Sequence, residues 1–280
     1  MNISKTISEG INILKENEIR NPQLDVEILL SKLIKKDKKY LILNPEEVVS
    51  SEKLDIFKNL IERRKKGEPV AYLINEKAFW KNVFYVDKDV LIPRPDTELL
   101  IEKILKIYSN KSQLQILDIG TGSGCIILSL LKERKKDYGT GIDISKKSIN
   151  VSKINAKLLN LSNRTKFFHS SIDNFNIGKY DLIVSNPPYI ELLNLKYLEK
   201  DVVNFEPELA LNGGLDGFSK IKTVISKASS LLKKKGKLIL EIGFNQKDKV
   251  KEMLKKKRFY VNHTFQDHGN NDRCIISTKI

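Results

Sequence analysis

The sequence predicts an α/β fold: a mostly parallel, seven-stranded sheet with an antiparallel edge strand, behind a small N-terminal helical bundle. Three observations predict it. From about residue 97 onward, short apolar runs alternate with amphipathic stretches, the pattern of a parallel sheet covered on both faces. The last two runs have no helix between them, so they should pair as an antiparallel edge hairpin. Residues 1–75 carry helical periodicity alone.

In chain order, Ile3, Ile7, Ile11 and Leu14 fall on one helical face. Asn21-Pro22 starts a second helix, with Asn as N-cap and Pro at the first helical position, continued by Leu24, Ile28 and Leu33. Leu54, Phe57, Leu60 and Ile61 mark another, running into Arg63-Arg64-Lys65-Lys66 and stopped by Gly67 and Pro69. Residues 76–96 change character: Phe79-Trp80 and Val83 to Val86 read as a hairpin and hinge, with the two aromatics and Phe84 forming interdomain core. Pro93-Arg94-Pro95 then stops regular structure, and Asp96-Thr97-Glu98 opens the next helix. Strands are expected near 114–119, 138–143, 165–169, 180–185, 236–242, 258–265 and 273–279, and helices at 124–134, 146–160, 217–232 and 246–256. The domains are thus 1–75, helical and serving substrate recognition; 76–96, a hairpin linker; and 97–280, catalytic.

A chain of 280 residues with 40% hydrophobic content suits one large and one small domain. Formal net charge is +15, which predicts attraction to RNA, ribosomes or an acidic protein. Most of the excess is Lys, in clusters such as Lys35-Lys36, Lys65-Lys66, Lys146-Lys147, Lys233 to Lys235 and Lys255 to Lys257. Several clusters fall at expected helix ends, where cations are favourable anyway, so nucleic-acid binding takes the minor share. Two distant cysteines, Cys125 and Cys274, argue against a disulfide scaffold or a zinc site and fit a reducing cytosol. His169, His263 and His268 share no metal-ligand spacing, and no metal is expected. Neither a signal peptide nor a membrane span is expected.

Asp118-Ile119-Gly120-Thr121-Gly122-Ser123-Gly124 follows the first strand of the large domain and opens a helix. Glycines let the backbone turn tightly and approach a ligand, and Asp118 suits a cofactor carrying an ammonium group. No Gly-Lys-Ser/Thr follows, so the loop is not a phosphate-gripping P-loop. Nineteen residues after Gly124, the second strand ends in Asp143, placed to bind both ribose hydroxyls of an adenosine. S-adenosylmethionine fits this pair of sites better than NAD. After the third strand, Ser171 or Asp173 can bond an adenine amine and Ile172 can cover its ring. Ordinary turn residues fit that segment equally well.

Asn186-Pro187-Pro188-Tyr189 ends the apolar run Tyr180 to Ser185. Two prolines forbid a continuing central strand and leave a stiff elbow. The Asn186 side-chain oxygen and the Pro187 carbonyl can each accept one N–H of a target amide, and Tyr189 can stack on its plane. Methyl transfer would then depend on positioning rather than on a strong base. Arg94 sits in a rigid segment near the mouth of the cofactor site.

The chain resembles the release-factor glutamine methyltransferases (the PrmC/HemK family), which have the Rossmann-like class I methyltransferase fold. The resemblance rests on Arg63 to Leu73, Phe79-Trp80, Leu91-Ile92-Pro93-Arg94-Pro95-Asp96-Thr97-Glu98, Asp118 to Gly124, Asn186 to Tyr189, and Phe205-Glu206-Pro207 with Ala210-Leu211. It implies methylation of the Gln in the Gly-Gly-Gln motif of peptide chain release factors and a helical domain that helps hold them. It places Gly120 to Gly124, Asp143 and Asn186 on the cofactor and Asn186 to Tyr189 on the target glutamine. The chain departs from the family at Ser171 and Ile172, where an acidic residue and an aromatic are frequent. A cytoplasmic monomer is expected, with release factors as partners and no membrane. The elbow alone also suits an adenine N6-methyltransferase on a flipped base. A non-catalytic ribosome- or RNA-binding module is the third reading, opposed by the intact motifs.

Overall fold

The computed structural model describes residues 1–280. In chain order the elements are α1 (Ile3–Glu16), α2 (Pro22–Ile34), α3 (Lys38–Leu43), α4 (Ser51–Lys65), α5 (Val70–Leu73), β1 (Glu76–Phe79), β2 (Asn82–Tyr85), α6 (Glu98–Ile107) and β3 (Gln115–Ile119). There follow α7 (Cys125–Glu133), β4 (Tyr138–Asp143), α8 (Lys146–Leu158), β5 (Thr165–His169), β6 (Tyr180–Ser185), α9 (Lys200–Phe205), α10 (Ser219–Leu231), β7 (Leu232–Glu241), α11 (Lys247–Lys256), β8 (Phe259–Gln266) and β9 (Asp272–Lys279). The chain forms two compact units, Met1–Glu76 with Glu199–Phe205, and Lys77–Leu198 with Glu206–Ile280.

The first unit packs Ile3, Leu14, Val26, Leu29, Leu30, Phe57 and Ile61 into one apolar core. Helix α2 starts as expected, with Asn21 at the N-cap position, Pro22 at the first helical position, and Leu24, Ile28 and Leu33 within it. Its core face is Val26, Leu29 and Leu30 with Leu33 packed beside them, while Leu24 is exposed. Asn21 precedes Pro22 but its side chain makes no capping hydrogen bond.

The second unit is a seven-stranded sheet of order β5-β4-β3-β6-β7-β9-β8. The first five are parallel, β9 runs antiparallel to β7, and β8 pairs antiparallel with β9. Side chains alternate across it: Ile116, Leu182, Val184 and Ile239 face one core, and Leu117, Ile119, Ile183 and Leu238 the other. Both faces are covered, so the strands read as continuous apolar runs.

Phe79 and Phe84 are fully buried and pack edge-on at 6.1 Å, within the core that α6 and α7 share. With Trp80 against that same cluster, the expected interdomain core is instead core of the catalytic unit. The hairpin is fastened to it by the buried Asn155 of α8. Its Oδ1 accepts from Tyr85 N (2.7 Å), and its Nδ2 donates to Tyr85 O and Ser123 O (both 2.9 Å). Asn155→Ala takes a partner from three backbone groups, one buried and two part-buried, and is expected to cost about 2–4 kcal/mol. Urea unfolding checks it; an unchanged midpoint means the hairpin is held elsewhere.

The lysine clusters divide. Lys65-Lys66 and Lys255 to Lys257 do close helices. Lys146-Lys147 opens α8 instead, at its positive end, where Lys147 is balanced by Asp89 at 3.1 Å.

Candidate active site

The strand order reverses at β3, whose neighbours are β4 on one side and β6 on the other. Crevices for ligands form at the carboxyl ends of strands at such a switch point. Ile119 and Ser185 end the two strands in register, and the Ser185 hydroxyl donates to Ile119 O at 2.7 Å. A cavity of about 260 Å³ opens there. Its walls are Ile119, Gly120 and Gly122 after β3, Ile142 and Asp143 at the end of β4, Ser170 to Asp173 after β5, and Ser185 to Pro188 after β6. Val90 and Leu91, Pro207 and Leu209, and Lys220 and Thr223 of α10 are also among its walls.

Of the residues singled out from the sequence, Gly120, Gly122, Asp143, Ile172, Asn186, Pro187 and Pro188 line this cavity. Gly122 has φ +54°, and a Cβ there would meet nothing within 4 Å, so its backbone borders open space. The Gly122 N–H donates to Asp143 Oδ2 and the Ser145 N–H to Oδ1, both at 2.9 Å. Burial raises the Asp143 pKa, opposed by these N–H donors.

Asp118, Thr121, Ser123 and Gly124 lie outside the lining. Asp118 is fully buried; Oδ2 accepts from the Thr121 hydroxyl at 2.8 Å, whereas Oδ1 has no hydrogen-bond partner. Burial pushes its carboxyl up to about 7. The Cys125 thiol beside the loop is pushed up to about 12 by burial, which leaves it a neutral packing group.

The structure also keeps Arg94 and Tyr189 out of the lining. Arg94 is paired with the buried Glu206, which accepts the Ile92 N–H on its other oxygen. The Tyr189 hydroxyl donates to Glu241 Oε1 at 3.2 Å, and its ring packs against the core that holds Ile119, Ile183 and Leu238.

Several groups escaped the sequence reading. Asn186 Nδ2 donates to Thr97 Oγ1 (3.0 Å), and the Thr97 hydroxyl donates to Glu241 Oε2 (2.7 Å). Glu241 ends β7 and is 1% exposed; burial pushes it up to about 7, against the Thr97 hydrogen bond and the Arg273 charge. Behind the elbow, Gln246 Nε2 donates to Tyr189 O (3.0 Å) and Gly217 O (3.2 Å). A carboxylate closing the apolar run Leu238-Ile239-Leu240 at the same sheet edge as Asp118 and Asn186 was the available signal for Glu241.

A doubly wound sheet with its crevice at the switch point, lined by a glycine loop and an Asn-Pro-Pro elbow, defines a Rossmann-like class I methyltransferase. Two solved structures are similar in fold: a methyltransferase from Pyrococcus furiosus (TM-score 0.54, 19% identity, 79% of this chain and 97% of that one) and a ribosomal protein L11 methylase from Lactobacillus delbrueckii subsp. bulgaricus (0.51, 21%, 70% and 84%). The family model described as PrmC N-terminal domain matches residues 5–74, and that described as methyltransferase domain matches residues 110–276. The release factor glutamine methyltransferase of Buchnera aphidicola subsp. Schizaphis graminum is 41% identical over 279 residues, covering 100% of both chains, and that of Caulobacter vibrioides is 33% identical over 95% and 92%. A bifunctional methyltransferase of Rickettsia bellii is 36% identical over 98% of this chain, which spans only 54% of that protein. The chain belongs to the release factor glutamine methyltransferase family.

Proposed function

We propose that this protein methylates the side-chain amide nitrogen (N5) of the glutamine in the Gly-Gly-Gln motif of peptide chain release factors, using S-adenosylmethionine. What carries the reading is identity of about two residues in five to release factor glutamine methyltransferases along the whole chain. A single cavity lined by Asn186 and Pro187 together with Gly120 and Gly122 supports it. The adenine reading is not favoured, since these relatives are named for glutamine. No helix is long and apolar enough to cross a membrane. We assign the reaction to the cytoplasm, to a monomer, and to translation termination. Residues 1–75 would hold the release factor, 76–96 would link, and 97–280 would carry the chemistry.

The residues present fit the methyl donor. Gly120 and Gly122 leave open space at the loop, Asp118 Oδ1 is a buried oxygen lacking a donor, and Asp143 presents a carboxylate at the end of β4. They would hold the methionyl part, its ammonium and the ribose in that order, with Ile172 against adenine. When bound, the donor supplies an electrophilic methyl group. Everything else falls to the chain. Asn186 Oδ1 and the Pro187 carbonyl each accept one N–H of the target amide and fix its plane. That turns the nitrogen lone pair toward the methyl, and alignment supplies most of the rate.

A pH dependence follows from Asp118. An ammonium near Oδ1 favours the ionised carboxylate, so the bound state has the lower pKa and binding expels a proton. Affinity for S-adenosylmethionine is expected to fall about tenfold per pH unit below about 7, and to level off above it. Titration calorimetry from pH 8 to 6, in two buffers of different ionisation enthalpy, reads both affinity and proton release. A flat profile removes Asp118 from the donor site.

The activity itself is tested with labelled S-adenosylmethionine and either a release factor or a nucleic acid. Label confined to the Gly-Gly-Gln peptide supports the proposal; label only in adenine sinks it. No transfer to either, with RNA binding intact, points to the non-catalytic module.

A further inference from the structure

We propose that Thr97 is a positioning residue which decides which end of the Asn186 amide faces the target, with Glu241 setting the direction of its hydroxyl. The inference rests on the methyltransfer reading of the Asn186 site. An Asn side chain has a donor end and an acceptor end of nearly equal size, and a half-turn about its last bond exchanges them. The target amide offers N–H groups, so only the orientation with Oδ1 toward the cavity is productive.

Nothing in the elbow itself selects that orientation. The selection comes from behind. Above about pH 7, where Glu241 is ionised, it can only accept, so the Thr97 hydroxyl, 2.7 Å away, must donate to it. The Thr97 oxygen is then left with lone pairs alone toward Asn186. At 3.0 Å it accepts from Nδ2 and would repel Oδ1. The amide is held with its nitrogen inward and its oxygen toward the cavity. Every member is fixed: Thr97 is 2% exposed, and its N–H is bonded to Arg94 O at 3.1 Å. Glu241 Oε1 is engaged by the Tyr189 hydroxyl, itself 3.4 Å from Arg273. The chain of donors therefore has one polarity from Glu241 outward, and reversing it would leave a buried acceptor facing an acceptor.

The test compares Thr97→Val, which keeps the shape and removes the hydroxyl, with Thr97→Ser, which restores it. In the full-length protein with a release factor, Thr97→Val is expected to lower kcat about 10- to 100-fold. Affinity for S-adenosylmethionine should stay near wild type, Tm should fall by a few degrees because the buried Glu241 loses a donor, and Thr97→Ser should recover both kcat (to within about threefold) and Tm. A second readout needs no substrate. The Asn186 side-chain amide resonance, assigned by its loss in Asn186→Ala, should show one Nδ2 proton protected from solvent exchange in wild type and in Thr97→Ser. In Thr97→Val that protection should fall about tenfold. Equal kcat in Thr97→Val, failure of Thr97→Ser to rescue, or unchanged protection each overturns the proposal. If wild type transfers no methyl to release factors, the substrate assignment fails, while the resonance still decides the orientation.

Discussion

Asn186→Ala is expected to lower kcat about 100- to 1000-fold while changing the affinity for S-adenosylmethionine less than fivefold. The side chain is part-buried, donates through Nδ2 to Thr97 and belongs to a residue that lines the cavity. On the proposed reaction, removing it takes away one of two acceptors for the target amide and leaves the glycine loop and Asp143 in place. A primary amide nitrogen is a weak nucleophile, so losing its alignment falls on the chemical step rather than on donor binding. Single-turnover rates with saturating release factor, set beside calorimetric donor affinity, separate the two. Parallel loss of both would make Asn186 a donor-binding residue.

Gly217→Ala is expected to disable the enzyme without touching the cavity. Gly217 has φ +71°, and a Cβ there would stand 2.6 Å from Tyr189 O and 2.9 Å from Gln246 Nε2. The left-handed conformation alone costs alanine about 1–2 kcal/mol. The clash must be relieved by moving backbone, and the backbone it meets is the end of the Asn-Pro-Pro-Tyr elbow. A shift of about 1 Å there costs on the order of 100-fold in rate. Turnover should fall by at least about that factor with S-adenosylmethionine affinity retained. Full activity in Gly217→Ala would show that the elbow is not braced from this side.

The sheet was legible because parallel strands buried on both faces leave apolar runs such as Gln115–Ile119 and Tyr180–Ser185, whose bounds agree within a residue or two. The stretch from Ile190 to Leu211 offered no such period. Its 3-10 turns at Leu192–Tyr197 and Glu208–Ala210 flank a single short helix, and it is held by tertiary contacts such as Gly213 N to Ile190 O at 2.8 Å. In the site, the glycines were readable because positive φ demands their type, and Asp143 and Asn186 because each stands where an apolar strand run stops. Thr97 and Glu241 were not. A threonine before Glu98 reads as a helix opener, and a lone Glu reads as surface. Only the fold brings them together, across 144 residues of chain.

Helix α9 adds a consequence of another kind. Residues Glu199–Phe205 belong to the helical unit, although the chain on both sides belongs to the catalytic one. On a ribosome the helical unit therefore cannot be finished when Glu76 emerges. It waits for another 129 residues (205 − 76), about 6–26 s at ~5–20 residues per second. By then β3 to β6 have already left the tunnel, so the two units mature as interleaved rather than successive folding events. A fragment ending near residue 76 should accordingly be less protease-resistant than the same residues in the whole chain, and adding a peptide of residues 199–205 in trans should restore part of the difference.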